Sequence, residues 1–142
     1  SFHPHVSLVF SISPVRHLKD GFVENNQSKA HLMAALHSVI NPSKNTHYFP
    51  SYELLMDELR DYRFYKEDMV HPNPIAINYI WKKFQSIWID AEATPIMQDV
   101  NQLQKGLAHK PFNPSATEHK LFLSTLTKKA QALESRFPFM KF

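Results

Sequence analysis

A chain of 142 residues, 43% hydrophobic and 20% charged, has the size and composition of one folded domain rather than of a disordered polymer. Its two glycines, Gly21 and Gly106, exclude the Gly-rich phosphate loops, and the absence of cysteine excludes disulfide frameworks, thiolate metal sites and cysteine nucleophiles. The net charge of +3 arises wholly in the last third: residues 1–91 hold nine basic and nine acidic residues, residues 92–142 seven and four, too widely spaced for a nucleic-acid face.

The first element runs from Val6 to Ser13 and is closed by Pro14. It is short, β-branched and apolar on both alternating faces, which predicts a strand covered on both sides in a parallel sheet. Ser28 is placed to cap a helix over 28–40 whose stripe is Leu32, Leu36, Val39 and Ile40, and Asn41-Pro42 stops it. His47 to Leu55 reads as a weaker strand interrupted by Pro50. Strand, helix and strand in that order predict a βαβ unit, with parallel strands and a right-handed crossover, and hence an α/β fold.

The next helix has the best-defined start. A residue before proline is driven out of the helical region, so His71 and Asn73 are both expected to be extended. Asn73 is then the N-cap and Pro74 the first helical residue, followed by the stripe Ile77, Ile80, Trp81, Phe84 and Trp88. Beyond Asp90 two more helices follow. Thr94-Pro95 starts one, with Ile96, Val100, Leu103 and Leu107 on one face and Gly106 near its end. Ser115 and Glu118 form a capping box for the other, whose stripe is Phe122, Leu126, Ala130, Leu133 and Phe137. Phe137 to Phe142 closes the chain as an aromatic segment that would suit docking to a partner but is expected to pack back onto its own domain.

Two strands do not make a stable parallel sheet, so a first strand that is apolar on both faces implies strands of a parent domain outside residues 1–142. An edge left open in that way is expected to pair with a second copy of the chain, giving a homo-oligomer.

Chemistry concentrates at Asp68-Met69-Val70-His71-Pro72-Asn73-Pro74. A histidine acting as general base needs a fixed tautomer and orientation, and a carboxylate on its other ring nitrogen supplies both. The same spacing also describes an Asx turn before a helix with His71 on the surface. Arg16 and His17 follow the carboxyl end of the first predicted strand, where open α/β sheets bind ligands, and are candidate substrate-binding residues. His3 with His5, His31 with His37, and His109 with His119 make no metal set on spacing, and no metal is expected. The run from Asp57 to Arg63 interleaves both signs and reads as a solvated face with local ion pairs. No apolar stretch is long enough to span a bilayer, and the first residues lack the basic and apolar regions of a signal peptide, which favours the cytoplasm.

Several blocks together resemble a known family. Ser13-Pro14-Val15-Arg16-His17 with Asp20-Gly21, Ser28-Lys29-Ala30, Tyr48 to Glu53, Asp57 to Tyr65, and Asp68-Met69-Val70-His71-Pro72 are, in this order, similar to the later part of a GSCFA-family domain. That bacterial family belongs among the SGNH (GDSL-like) hydrolases. The resemblance covers about residues 6–90. It implies that residues 1–90 are the later part of a flavodoxin-like α/β/α sandwich; residues 91–142, which carry no motif of the resemblance, are expected from their helical pattern to be an extension packing on it. It also implies a serine ester hydrolase acting on a small-molecule or carbohydrate acyl ester without a cofactor. His71 would be its general base and Asp68 the orienting partner. The family's nucleophilic serine and oxyanion residues lie earlier in its chain, and no Gly-Ser-Cys-Phe or Gly-Asp-Ser-Leu motif is present here. Ser7, Ser11 and Ser13 are not promoted to nucleophile, and the chain alone is expected to be inactive. The alternative is a non-catalytic interaction module with a relic Asp-His pair.

Overall fold

A computed structural model describes residues 6–142, which fall into two compact units, one ending at Trp88 and the other spanning Ile89–Phe142. His3 and His5 lie outside the described residues. The protein is mixed α/β and mostly helical, with one short parallel sheet.

In the first unit, β1 (Leu8–Phe10) and β2 (Thr46–Tyr48) pair in parallel, with Val9 opposite His47. Backbone bonds of 2.8 Å from Leu8 N to Asn45 O and from Phe49 N to Phe10 O extend the ladder at both ends. The helix between them, α1 (Phe22–Val39), starts well before Ser28. Gly21 makes the turn at φ 104°, a region that other residues enter only with strain, and Asn25 N then donates to Gly21 O at 3.0 Å. The glycine turn rather than a serine cap therefore sets the start.

The second predicted strand ends at Tyr48. Beyond Pro50 the chain is helical: α2 (Ser51–Glu53) runs directly into a π-helical turn over Leu54–Leu59. That turn, with a 3₁₀ turn at Tyr62–Phe64, carries the run from Asp57 to Arg63. The helix α3 (Pro74–Trp88) begins as read from the sequence, and Asn73 Oδ1 accepts from the backbone of Ile75 and Ala76 at 3.0 and 3.1 Å.

The core of this unit is small: Leu55, Tyr65 and Ala76, with Leu59, Phe64 and Ile80 packed against them. Phe49 is buried beside it, edge-on to Phe84. Other predicted core positions are exposed, including Leu8, Val9 and Phe10 of β1, Leu32 and Val39 of α1, and Ile77 and Trp81 of α3. Among the described residues β1 has a single hydrogen-bonded neighbour, so strand propensity is satisfied without burial of both faces.

The second unit consists of α4 (Ala93–Ala108) and α5 (Thr117–Arg136). Leu103, Leu126 and Leu133 form its buried centre, flanked by Ile96, Val100, Ala130 and Phe137. Leu107 is exposed, and Gly106 takes its place facing Leu126. The predicted capping box does not form. Ser115 Oγ and Ser115 N both donate to Asn113 Oδ1, at 2.8 and 3.1 Å, which commits the serine to a turn and delays the helix to Thr117. The closing aromatic segment returns to α5, where Phe142 N donates to Glu134 Oε1 at 3.1 Å, while Phe139 stays exposed.

Candidate active site

The segment between Tyr65 and Asn73 is a tight loop closed by its own backbone. Tyr65 and Pro72 form an antiparallel bridge, Lys66 N donates to His71 O at 2.8 Å, and Asn73 N donates to Phe64 O at 2.8 Å. Asn73 ties the loop from outside as well, donating Nδ2 to Arg63 O at 2.6 Å while its Oδ1 caps α3. One side chain thus joins the loop entrance to the helix that follows.

Inside the loop Met69 sits at φ 56°, which reverses the chain over Asp68. Asp68 Oδ1 accepts from Val70 N and His71 N, both at 2.9 Å, and Asp68 Oδ2 lies 2.8 Å from His71 Nδ1. The Asx turn and the Asp–His contact, alternatives on spacing alone, coexist on the two oxygens of one carboxylate. The backbone amides of His71 and Val70, and then the His71 ring, lower the Asp68 pKa to about 2. An ionised carboxylate only accepts, so Nδ1 of the neutral imidazole carries the proton and Nε2 presents its lone pair. Among the described residues nothing bonds Nε2, and the His71 side chain is 54% exposed.

Arg16 reaches this loop. Its Nη1 donates to Met69 O at 3.0 Å, and its guanidinium carbon lies 4.5 Å from the centre of the Tyr65 ring and 5.5 Å from that of Tyr62. His17 does not: its backbone N bonds Asn25 Oδ1 at 3.0 Å and its ring stands 4.0 Å from Asp20. Neighbours in sequence, the two serve different places.

Reading the sequence missed the residues that hold Arg16 in position. Lys29 is buried, and its Nζ donates to Ser13 O at 2.7 Å; burial lowers its pKa. Ser51 Oγ donates to Ile12 O at 2.9 Å. Both anchor the stretch between β1 and Arg16. The available signal was that Lys29 and Ser51 stand within blocks that already carried the family resemblance.

The remaining histidines are dispersed. His37 packs on Tyr48, and His109 and His119 both contact Phe122, a partner not foreseen for either. Among the described residues no three His, Asp or Glu side chains converge on a metal site. Nor is any described helix long and apolar enough to cross a membrane.

These loops belong to a recognisable family. Residues 1–84 match the model of the GSCFA family, and residues 100–142 match that of the GSCFA domain protein C-terminal domain. The chain is a member of the GSCFA family, and its helical tail, which carried no motif, belongs to that family as well. No curated protein and no solved structure matches it.

Proposed function

We propose that the chain supplies the base of a serine ester hydrolase of the SGNH type, with His71 as general base and Asp68 as its orienting partner. The observation that carries this reading is the Asp68–His71 pair: the carboxylate is fixed by two backbone amides, the imidazole is fixed through Nδ1, and Nε2 has no partner among the described residues. In this reading residues 1–90 are the later part of a flavodoxin-like sandwich and residues 91–142 a helical extension. The serine and the oxyanion donors come from upstream in the polypeptide.

His71 Nε2 takes the serine proton as the hydroxyl attacks the ester carbonyl, then returns it to the leaving alcohol; water repeats the cycle on the acyl-enzyme. Arg16, stacked on tyrosine and bonded to Met69 O, holds the loop and lines the approach to it. The test uses the full-length protein with p-nitrophenyl acetate. His71→Ala lowers kcat/KM by about 10³-fold or more with the circular dichroism spectrum unchanged. Residues 1–142 alone show no turnover. Turnover retained in His71→Ala refutes the assignment.

A further inference from the structure

The run from Asp57 to Arg63 has no part in the reaction above, yet it forms one wall of a cleft in the first unit of about 400 Å³, within the range of small-molecule sites. Two local features aim its side chains. The π-helical turn at Leu54–Leu59 re-phases the chain, and Arg60 follows in the left-handed region at φ 45°, an unfavourable conformation for a side-chain-bearing residue. Glu58 turns away to Tyr79 and Lys83 of α3. The Asp57 and Arg60 side chains remain at the cleft, and among the described residues neither side chain has a hydrogen-bond or ion-pair partner.

The lining is chemically selective. Tyr52, Tyr62 and Tyr65 supply aromatic surface, and Tyr62 is 63% exposed. Two arginines, Arg16 and Arg60, and two aspartates, Asp57 and Asp61, line the cleft and balance in number, with Asp61 also paired to Arg63 at 3.4 Å. An anion or a cation gains little there, and a purely apolar chain would strand the charged groups. A neutral ring with many hydroxyls satisfies both sets: its C–H face lies on tyrosine, and its hydroxyls bond carboxylate and guanidinium together. We propose that this cleft binds a neutral carbohydrate. It abuts the Asp68–His71 loop, because Arg16 bonds Met69 O and Tyr65 bridges to Pro72. Its use as the subsite of the leaving alcohol rests on the hydrolase reading; binding itself does not.

The chain's five tyrosines allow a direct test, since Tyr48 and Tyr79 lie outside the cleft as internal controls. With tyrosine rings labelled with carbon-13, methyl β-D-xylopyranoside, methyl β-D-galactopyranoside, methyl α-D-mannopyranoside and N-acetylglucosamine are titrated in turn. At least one shifts Tyr52, Tyr62 and Tyr65 saturably, with Kd on the order of 1 mM, and leaves Tyr48 and Tyr79 in place. Arg60→Gly removes the guanidinium while relieving the left-handed backbone, so the fold is retained and affinity falls about tenfold. The same sugar binds His71→Ala unchanged. The proposal is overturned if no glycoside gives a saturable shift, if Arg60→Gly leaves affinity intact, or if adenosine or acetate shifts the three rings equally well. Sugar binding without ester turnover in the full-length protein would sink the hydrolase reading and leave the cleft standing. Turnover without sugar binding would do the reverse.

Discussion

The unit ending at Trp88 and the unit spanning Ile89–Phe142 are held together by different means. In the second, two helix faces meet through leucine: Leu103 is wholly buried, with Leu126 and Leu133 around it, and Lys129 adds polar bonds to Asp99 and Gln102. In the first the apolar core is small, and much of the tertiary order comes from side chains bonded to distant backbone. Lys29 holds Ser13 O, Arg16 holds Met69 O, Ser51 holds Ile12 O, and Asn73 holds Arg63 O. A face of leucines fixes how helices pack but leaves loops free. Polar side chains aimed at backbone fix loops, and loops so fixed can orient an imidazole. The unit with the weaker core is the one with the candidate site.

The largest energetic effect separating the two belongs to Leu103. Leu103→Ala empties the centre of the α4–α5 face and costs about 2–5 kcal/mol, read as faster amide exchange across both helices. A loss below about 1 kcal/mol would show that leucine burial is not what holds this unit. The counterpart in the first unit is Asn73→Ala. Removing the cap bonds and the tie to Arg63 O costs about 1–2 kcal/mol, and it loosens the amides of Val70 and His71 as well as the first turn of α3. An effect confined to α3 would mean that the loop is held without Asn73.

The same contrast explains what was legible in the sequence. In the second unit helical periodicity matched burial at Leu103, Leu126 and Leu133, whereas in the first the stripe positions Leu32, Val39, Ile77 and Trp81 stand exposed. Asn73 and Asp68 were readable because proline restricts the residue before it, and Asp-x-x-His is a local pattern. The parallel pairing of β1 and β2 followed from strand–helix–strand order, but their lengths did not. Pro50 ended the second strand, and the helical turn after it has no apolar alternation to announce it. The anchors were invisible for a different reason. Lys29 on Ser13 O and Arg16 on Met69 O join positions 16 and 53 residues apart, and no short window contains both ends.

Acid gives a smaller, local distinction. Asp68 has its pKa lowered to about 2 in the folded chain, against about 3.9 for an unperturbed aspartate, so its contribution to loop order is present in full above the latter value. It fades as pH falls through about 2, because protonation weakens an acceptor that three donors share. The amide shifts of Val70 and His71 should therefore hold steady down to pH 4 and move together below it. A midpoint at the ordinary aspartate value would mean that those bonds do not persist in solution.

The smallest predicted effect is the one whose sign is most informative. Gly106→Ala within α4 gains about 1 kcal/mol of intrinsic helix preference. The new Cβ, however, would stand 2.5 Å from Leu126 Cδ2, 2.9 Å from Cδ1 and 3.3 Å from Cγ. A leucine at the surface would rotate away, but Leu126 is 7% exposed and packed with Leu103 and Leu133. Overpacking of that kind costs about 1–3 kcal/mol, which outweighs the gain and leaves Gly106→Ala destabilising by about 1 kcal/mol. The control is the same change beside Leu126→Ala, where the obstruction is gone. There Gly106→Ala should stabilise, by about the helix-preference difference. Equal effects in the two backgrounds would mean that the α4–α5 face has slack at its centre. The close-packed half of the comparison would then fail.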